Sequence, residues 1–335
     1  MGLFSQHIII KGANMFDNTY FPRAEKYWHQ GKLYEWSHPN VHSMSHALHY
    51  GTSVFEGIRA YKTKKGPAVF RLPEHTDRLL HSAKTLSMDV PFSKEEINDA
   101  IKLLIRENKL ESAYIRPLLY YSYGNLGLLP KFSPVELVIG AWEWGAYLGD
   151  KTETGVQVYV VPWKRVHRSQ LEMTAKLGGV YVQSAICGME ARSLGHDEAV
   201  FLNLEGNIAE GPGENIFIIK DGVLITNDKT ESILEGITRE SILEMAKSLG
   251  IETRIEIITK EDFFKADEAF FCGTAVEIAP IVRIADGSNP QEQKKEYSLG
   301  SGRAGEITLR VEKAYRDIVS GKMKEYEKWL TYVYD

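Results

Sequence analysis

Met173-Thr174-Ala175-Lys176-Leu177-Gly178-Gly179-Val180-Tyr181 is the stretch on which the reading of this chain turns. Lys176 stands among small and apolar residues, and no other charge occurs between Glu172 and Glu190. Poor solvation disfavours an ammonium ion, and a neutral lysine is a nucleophile able to form a Schiff base with a carbonyl. Gly178 and Gly179 leave room for a bulky ligand near the backbone. Taken alone, the stretch also fits a surface lysine beside a Gly-Gly turn, so its surroundings must decide.

Working outward, residues 156–161 alternate as a strand before the lysine stretch, and a helix is predicted over 180–194, closed by Gly195. Residues 198–204 and 208–210 read as strand, separated by Glu205-Gly206-Asn207, and Gly211-Pro212-Gly213-Glu214-Asn215 interrupts them. A hairpin over 216–226 turns at Asp221-Gly222. Helix 237–249 ends at Gly250, strand 251–258 leads to a helix capped by Thr259, and strands 269–272 and 276–284 flank Gly273-Thr274-Ala275. The last long helix covers 304–319.

The first half opens with a short strand over 7–10 and a hairpin over 27–36. Ser45 is the candidate cap of a short helix over 46–50, and residues 51–57 read as a turn. Strands follow at 58–61 and 68–72, then a helix over 73–86 opened by Pro73 and carrying Arg78 on a face apart from Leu79, Ala83 and Leu86. Ser93-Lys94-Glu95-Glu96 is a capping box for the next helix. Strands 113–123 and 135–142 complete this half, and the glycine-punctuated 144–155 is the candidate linker. Strands and helices mix without regular βαβ alternation, which predicts an α+β fold with mixed or antiparallel sheets. A length of 335 residues predicts two domains.

Forty basic and 45 acidic residues leave a net charge of −5, which asks for neither nucleic acid nor an anionic membrane as partner. No apolar run reaches the length of a membrane span. The two cysteines, Cys187 and Cys272, form no disulfide framework and suit a reducing cytosol as buried small hydrophobes. His42, His46 and His49 lack acidic or cysteine companions at ligand spacing, so no metal is expected. No Gly-x-Ser-x-Gly elbow and no phosphate-binding Gly-x-x-x-x-Gly-Lys loop is present.

Pyridoxal phosphate is the commonest partner of a Schiff-base lysine, and it needs a carboxylate at its ring nitrogen, an anion site and a donor to its phenolic oxygen. Glu210, ahead of a Gly-Pro-Gly turn, is the candidate carboxylate. Gly236-Ile237-Thr238 opens a helix, whose free amides suit a phosphate. Gly273-Thr274-Ala275 offers a second set of amides with a hydroxyl, and Arg78 a bidentate charged contact. Tyr181 is a candidate donor. Singly, each has a plainer reading: a cap for Thr238, a surface charge for Arg78, a core aromatic for Tyr181.

In series, these residues resemble the branched-chain amino acid aminotransferases, which belong to the fold type IV pyridoxal phosphate enzymes. The carrying stretches are 45–59 (Ser-His-Ala-Leu-His-Tyr-Gly-Thr-Ser-Val-Phe-Glu-Gly-Ile-Arg), 113–117, 144–149, 174–179, 209–217, 236–239 and 273–277, in order along the chain. The resemblance implies the two-domain architecture shared with D-amino acid aminotransferases: a smaller domain over 1–147, a linker over 148–155 and a larger cofactor-binding domain over 156–335. It implies that Lys176 bonds pyridoxal phosphate, Glu210 faces its ring nitrogen and Tyr181 its phenolic oxygen, while Arg78, Ile237, Thr238 and Thr274 hold its phosphate. Tyr50, Phe55, Tyr114, Arg116, Leu128, Trp144, Tyr147, Thr274 and Ala275 are implied to form the substrate pocket, with Arg116 accepting the second carboxylate of glutamate or 2-oxoglutarate. It further implies a homodimer or a higher homo-oligomer built from dimers, with the pocket completed across the interface, and transamination between L-leucine, L-isoleucine or L-valine and 2-oxoglutarate; the sparing use of cysteine predicts a cytoplasmic location. Ala209 stands where relatives often have Ser or Thr, Val180 where Asn is frequent, and the loop over 122–130 departs from bacterial relatives.

Overall fold

The computed structural model describes residues 21–38, 41–145 and 154–334. The expected strand over 7–10, Tyr147 and the linker residues 146–153 lie outside the described residues. In chain order the strands are β1 (Lys26–His29), β2 (Lys32–Glu35), β3 (Ser53–Phe55), β4 (Ile58–Thr63), β5 (Gly66–Phe70), β6 (Ala113–Tyr121), β7 (Val135–Trp142), β8 (Val156–Lys164), β9 (Glu198–Leu202), β10 (Asn215–Lys220), β11 (Val223–Thr226), β12 (Thr253–Ile255), β13 (Glu268–Gly273), β14 (Glu277–Asp286), β15 (Lys295–Ser298) and β16 (Leu330–Tyr332). The helices are α1 (His46–Tyr50), α2 (Leu72–Thr85), α3 (Lys94–Glu107), α4 (Tyr181–Ser193), α5 (Ile237–Ser248), α6 (Lys260–Phe264) and α7 (Glu306–Val319).

The strands form two sheets. The first runs β16-β5-β4-β6-β7-β1-β2, with β3 also on β6, and every pairing is antiparallel. The second runs β12-β11-β10-β13-β14-β8-β9, with β15 on β14; it is mixed, because β8 pairs in parallel with β14 and β9, and β11 with β12. The α+β class with mixed and antiparallel sheets is therefore what the chain forms. Local chemistry accounts for much of it. Both halves of the Ser93/Glu96 box are made, and Thr259 and Asp262 form a second box at α6. Asp221 and Gly222 take the positive φ that a two-residue hairpin requires.

Several elements depart from the reading of the sequence. Residues 51–57 contain β3, which exists because Ser53 pairs with Tyr120 and Phe55 with Leu118, partners that no local pattern reveals. Residues 208–210 form only a bridge from Ile208 to Leu202 instead of a strand, and 251–258 shortens to β12. Ser45 does not cap α1 with its side chain; its hydroxyl donates to the His42 carbonyl. The unassigned tail returns as β16, which pairs with β5 and so brings the end of the chain into the first sheet.

Helices α2 and α3 bury Leu72, Leu79, Ile97, Ile101 and Leu104 against Ile58, Ile115 and Ile139 of the first sheet. A second core joins the sheets: Ala68 and Phe70 of β5 share it with Phe217, Phe270, Ile242 and Tyr315. Burial of large aromatic and branched side chains at this junction, roughly 1.5–3 kcal/mol each, holds the sheets together and leaves a cleft along their seam. No helix among the described residues is long and apolar enough to cross a membrane.

Candidate active site

The seam holds a cavity of about 580 Å³ lined by residues from both sheets. Lys176 reaches it from the segment between β8 and α4. Two backbone bonds hold the lysine: its amide donates to Ser82 Oγ of α2 (2.9 Å), and its carbonyl accepts from the Phe55 amide of β3 (3.3 Å). The adjoining glycines serve this docking rather than the approach of a ligand. A Cβ on Gly178 would lie 2.2 Å from Ser53 Oγ and would have to displace that hydroxyl, so glycine lets the lysine segment lie close against β3. Lys176 Nζ donates to Tyr181 Oη at 2.7 Å and lies about 5 Å from the ring centres of Phe55 and Tyr181. Among the described residues no carboxylate is within ion-pairing distance of it.

Glu210 lines the cavity and is 4% exposed. Its Oε1 accepts from Arg165 Nε and pairs with Nη2, both at 2.9 Å, and its Oε2 accepts from the Leu234 amide at 3.1 Å. Burial raises the Glu210 pKa, while the Arg165 charge and the Leu234 amide work against that rise. Arg165 carries no signal in the sequence; it is an ordinary residue just past a strand, 45 positions from Glu210. Asn215 lies in the 209–217 stretch, which by itself gives it no role. It donates to the Leu234 carbonyl (2.8 Å) and accepts from the Gly236 amide (3.0 Å), tying the Glu210 segment to the start of α5. A Cβ on Gly236 would sit 2.2 Å from Asn215 Oδ1, so that tie requires glycine there.

No side chain caps α5, and Ile237 and Thr238 in its first turn line the cavity. A helix start of this kind offers unsatisfied N–H groups and a partial positive charge, a ready anion site. Arg78 of α2 points to the same place and donates Nη1 to the Glu235 carbonyl at 3.2 Å. Thr274 and Ala275, on the turn between β13 and β14, also line the cavity.

At the other end lie Phe55, Tyr114, Arg116 and Trp144. Tyr114 and Trp144 meet edge to face at 4.3 Å. Arg116 stacks on Phe55 (4.7 Å) and Tyr114 (5.3 Å) and donates to the Tyr114 hydroxyl at 2.8 Å. Its Nε is buried without a hydrogen-bond partner, and among the described residues no carboxylate pairs with the guanidinium. An available cation between aromatic walls suits a ligand with an apolar or an anionic end.

Two expected pocket residues lie elsewhere in the single chain. Tyr50 donates its hydroxyl to the Leu126 carbonyl, and Leu128 is 76% exposed; neither lines the cavity. The cavity thus gathers Phe55, Arg78, Tyr114, Arg116, Trp144, Lys176, Tyr181, Glu210, Ile237, Thr238, Thr274 and Ala275.

The same constellation lies within a chain of recognisable kinship. The family model described as amino-transferase class IV matches residues 53–284. A branched-chain-amino-acid aminotransferase of Pseudomonas aeruginosa is 45% identical over 91% of this chain and 96% of its own length, and that of Escherichia coli K12 is 43% identical over 93% and 98%. Among solved structures, a T.th. branched-chain amino acid aminotransferase complexed with N-(5'-phosphopyridoxyl)-L-glutamate superposes with a TM-score of 0.86 at 42% identity, over 93% of this chain and 99% of that one. With the family match spanning β3 to β14 and the kinship extending over nine-tenths of the sequence, this chain belongs to the class IV aminotransferases.

Proposed function

We propose that this protein is a pyridoxal-phosphate-dependent aminotransferase that exchanges the amino group of L-leucine, L-isoleucine or L-valine with 2-oxoglutarate, giving branched 2-oxo acids and L-glutamate. One observation carries the reading: Lys176 opens into a single cavity that also holds an arginine-paired carboxylate, Glu210, and an uncapped helix start flanked by Arg78. The names of the relatives support branched-chain substrates, and the phosphopyridoxyl-glutamate in a solved neighbour supports both the cofactor and the glutamate partner.

The residues present fit pyridoxal phosphate. The cofactor supplies, when bound, a carbonyl for the amine and an electron sink for the carbanion left when the α-proton departs. Lys176 would hold the cofactor through Nζ, and the same nitrogen is placed to carry the α-proton. Tyr181 orients that nitrogen and donates toward the phenolic oxygen. Glu210 would face the ring nitrogen, and Arg165 works against the rise that burial gives its pKa, which favours the ionised carboxylate there. Arg78, the amides of Ile237 and Thr238, and Thr274 hold the phosphate. Phe55, Tyr114 and Trp144 enclose a branched side chain, and Arg116 binds the second carboxylate of glutamate or 2-oxoglutarate when it replaces that side chain.

The protein works as a homodimer in this reading, with Tyr50 and Leu128 completing the pocket of the partner. Supporting this, the 41–50 and 123–132 segments adjoin through Ser45–Tyr123 and Tyr50–Leu126 contacts and expose Val41, Met44, Leu48, Tyr50, Leu128, Leu129 and Phe132. Exposed apolar patches of this kind mark interfaces.

The first test is a half-reaction on the holoenzyme. L-leucine added without an oxo acid is expected to bleach the absorbance of the lysine-bound cofactor, and D-alanine is not. Bleaching by D-alanine alone would assign the protein to a different amino donor, and bleaching by neither would leave it a cofactor carrier.

A further inference from the structure

Glu56 is fully buried next to the cavity yet does not line it, although its neighbours Phe55 and Gly57 do. A carboxylate in that setting must be paired. Its Oε1 accepts from Arg78 Nε at 2.7 Å and its Oε2 from Arg78 Nη2 at 2.9 Å, a bidentate grip on one edge of the guanidinium. His75 Nδ1 meets Oε2 at 2.8 Å. Burial pushes the carboxyl's pKa up, but the Arg78 charge and the hydrogen bonds from His75 and Arg78 outweigh it and hold Glu56 well below the usual carboxylate range. An ionised carboxylate only accepts, so the His75 Nδ1 carries the hydrogen.

This grip leaves Arg78 one free direction. With Nε and Nη2 taken, Nη1 turns to the Glu235 carbonyl, immediately ahead of α5. Because Glu56 balances the arginine's charge, the site offers an anion a fixed array of donors in place of a surplus of positive charge. We propose that Glu56 is a positioning residue for the phosphate arginine: itself held by His75, it grips Arg78 so that the guanidinium faces the start of α5, and it thereby sets the preference for the phosphorylated cofactor over its dephosphorylated form. This rests on the reading that Arg78 holds the phosphate.

The test uses the full-length chain and the variants E56Q, E56D and R78Q. Equilibrium dialysis with absorbance detection gives the affinity of each for pyridoxal phosphate and for pyridoxal. Inorganic phosphate is a second probe, read as the rise in melting temperature of the cofactor-free protein. The expected result is a drop of about tenfold or more in the preference for pyridoxal phosphate over pyridoxal in both Glu56 variants, the size of a lost charged hydrogen bond. Pyridoxal itself is expected to bind as before, and the phosphate-induced rise to shrink. E56D keeps the charge but withdraws it by one methylene, so it carries the test should E56Q not fold. Equal losses of pyridoxal phosphate and pyridoxal would mean a merely structural role and overturn the inference. An unchanged or increased preference in both Glu56 variants, with the preference lost in R78Q, would overturn it while leaving the role of Arg78 intact. A preference retained in R78Q would remove the phosphate role of Arg78, and the inference with it.

Discussion

Arg59 and Glu277, 218 positions apart, meet at 2.6 Å (Nη1 to Oε1) and join the first sheet to the second beside the cavity. Tyr61 also donates to that oxygen at 2.9 Å, and Arg59 Nη2 donates to the carbonyls of Trp144 (3.2 Å) and Gly145 (2.9 Å). One guanidinium thus fixes the Trp144 wall of the pocket relative to the Thr274–Ala275 turn. Glu277 is held at φ +58°, a conformation that costs a side-chain-bearing residue roughly 1–2 kcal/mol.

Arg59→Lys is therefore expected to raise the KM for L-leucine while pyridoxal phosphate binds as before. Lysine can reach Glu277 but cannot serve two carbonyls as well. Urea unfolding is expected to show a loss of about 1–3 kcal/mol. Equal weakening of cofactor and substrate would show that the pair supports the fold in general and not the pocket wall.

Lys176→Ala is expected to abolish transamination and the absorbance of the lysine-bound cofactor, while the folded state persists. Circular dichroism and cofactor spectra measure both; near-normal turnover would remove Lys176 from the reaction.

Arg165→Gln tests the charge at the ring nitrogen through pH. The arginine lowers a Glu210 pKa that burial raises. Its removal raises that pKa further, so at a given pH less of the carboxylate is ionised. The acid limb of the pH–kcat profile is then expected to move to higher pH, with kcat at pH 7 falling about tenfold or more. An acid limb that stays in place would separate Arg165 from the charge state of Glu210.

Glu214 gives a stability prediction. Burial, with the nearby Glu198 charge, pushes its pKa up to about 8. Below the unfolded carboxylate pKa both states hold the proton. Between there and about pH 8 the native state keeps a proton that the unfolded chain has released, so this group makes stability fall as pH rises. Glu214→Gln is expected to flatten the decline in melting temperature of the cofactor-free protein from pH 5 to pH 8. An unaltered slope would locate the buried proton elsewhere.

Much of the local structure was legible. Ser93 and Thr259 with their acidic partners marked two helix starts, Gly195 and Gly250 two helix ends, and Asp221-Gly222 a hairpin. Lys176, Glu210 and Gly236–Thr238 were legible as candidates because their chemistry is unusual beside glycines and at element ends. The use of Gly178 was not: it makes room for Ser53 and not for a ligand, which depends on a segment more than a hundred residues earlier.

The sequence by itself determined the long helices with their caps and ends, the Asp221-Gly222 hairpin and most of the longer strands, and which residue types were available for lysine-based cofactor chemistry. Capping, hairpin turns and apolar periodicity act within a few residues, so one stretch contains the whole cause. Tertiary structure alone decided that β3 and β16 exist, that Arg165 guards Glu210, that Glu56 grips Arg78 and that Arg59 bridges to Glu277. Each of these needs two distant segments to arrive at hydrogen-bonding distance. That meeting is set by strand pairing and helix packing within each sheet and, for Arg59 and Glu277, by the aromatic core that the two sheets share; burial then turns ordinary charged residues into fixed partners.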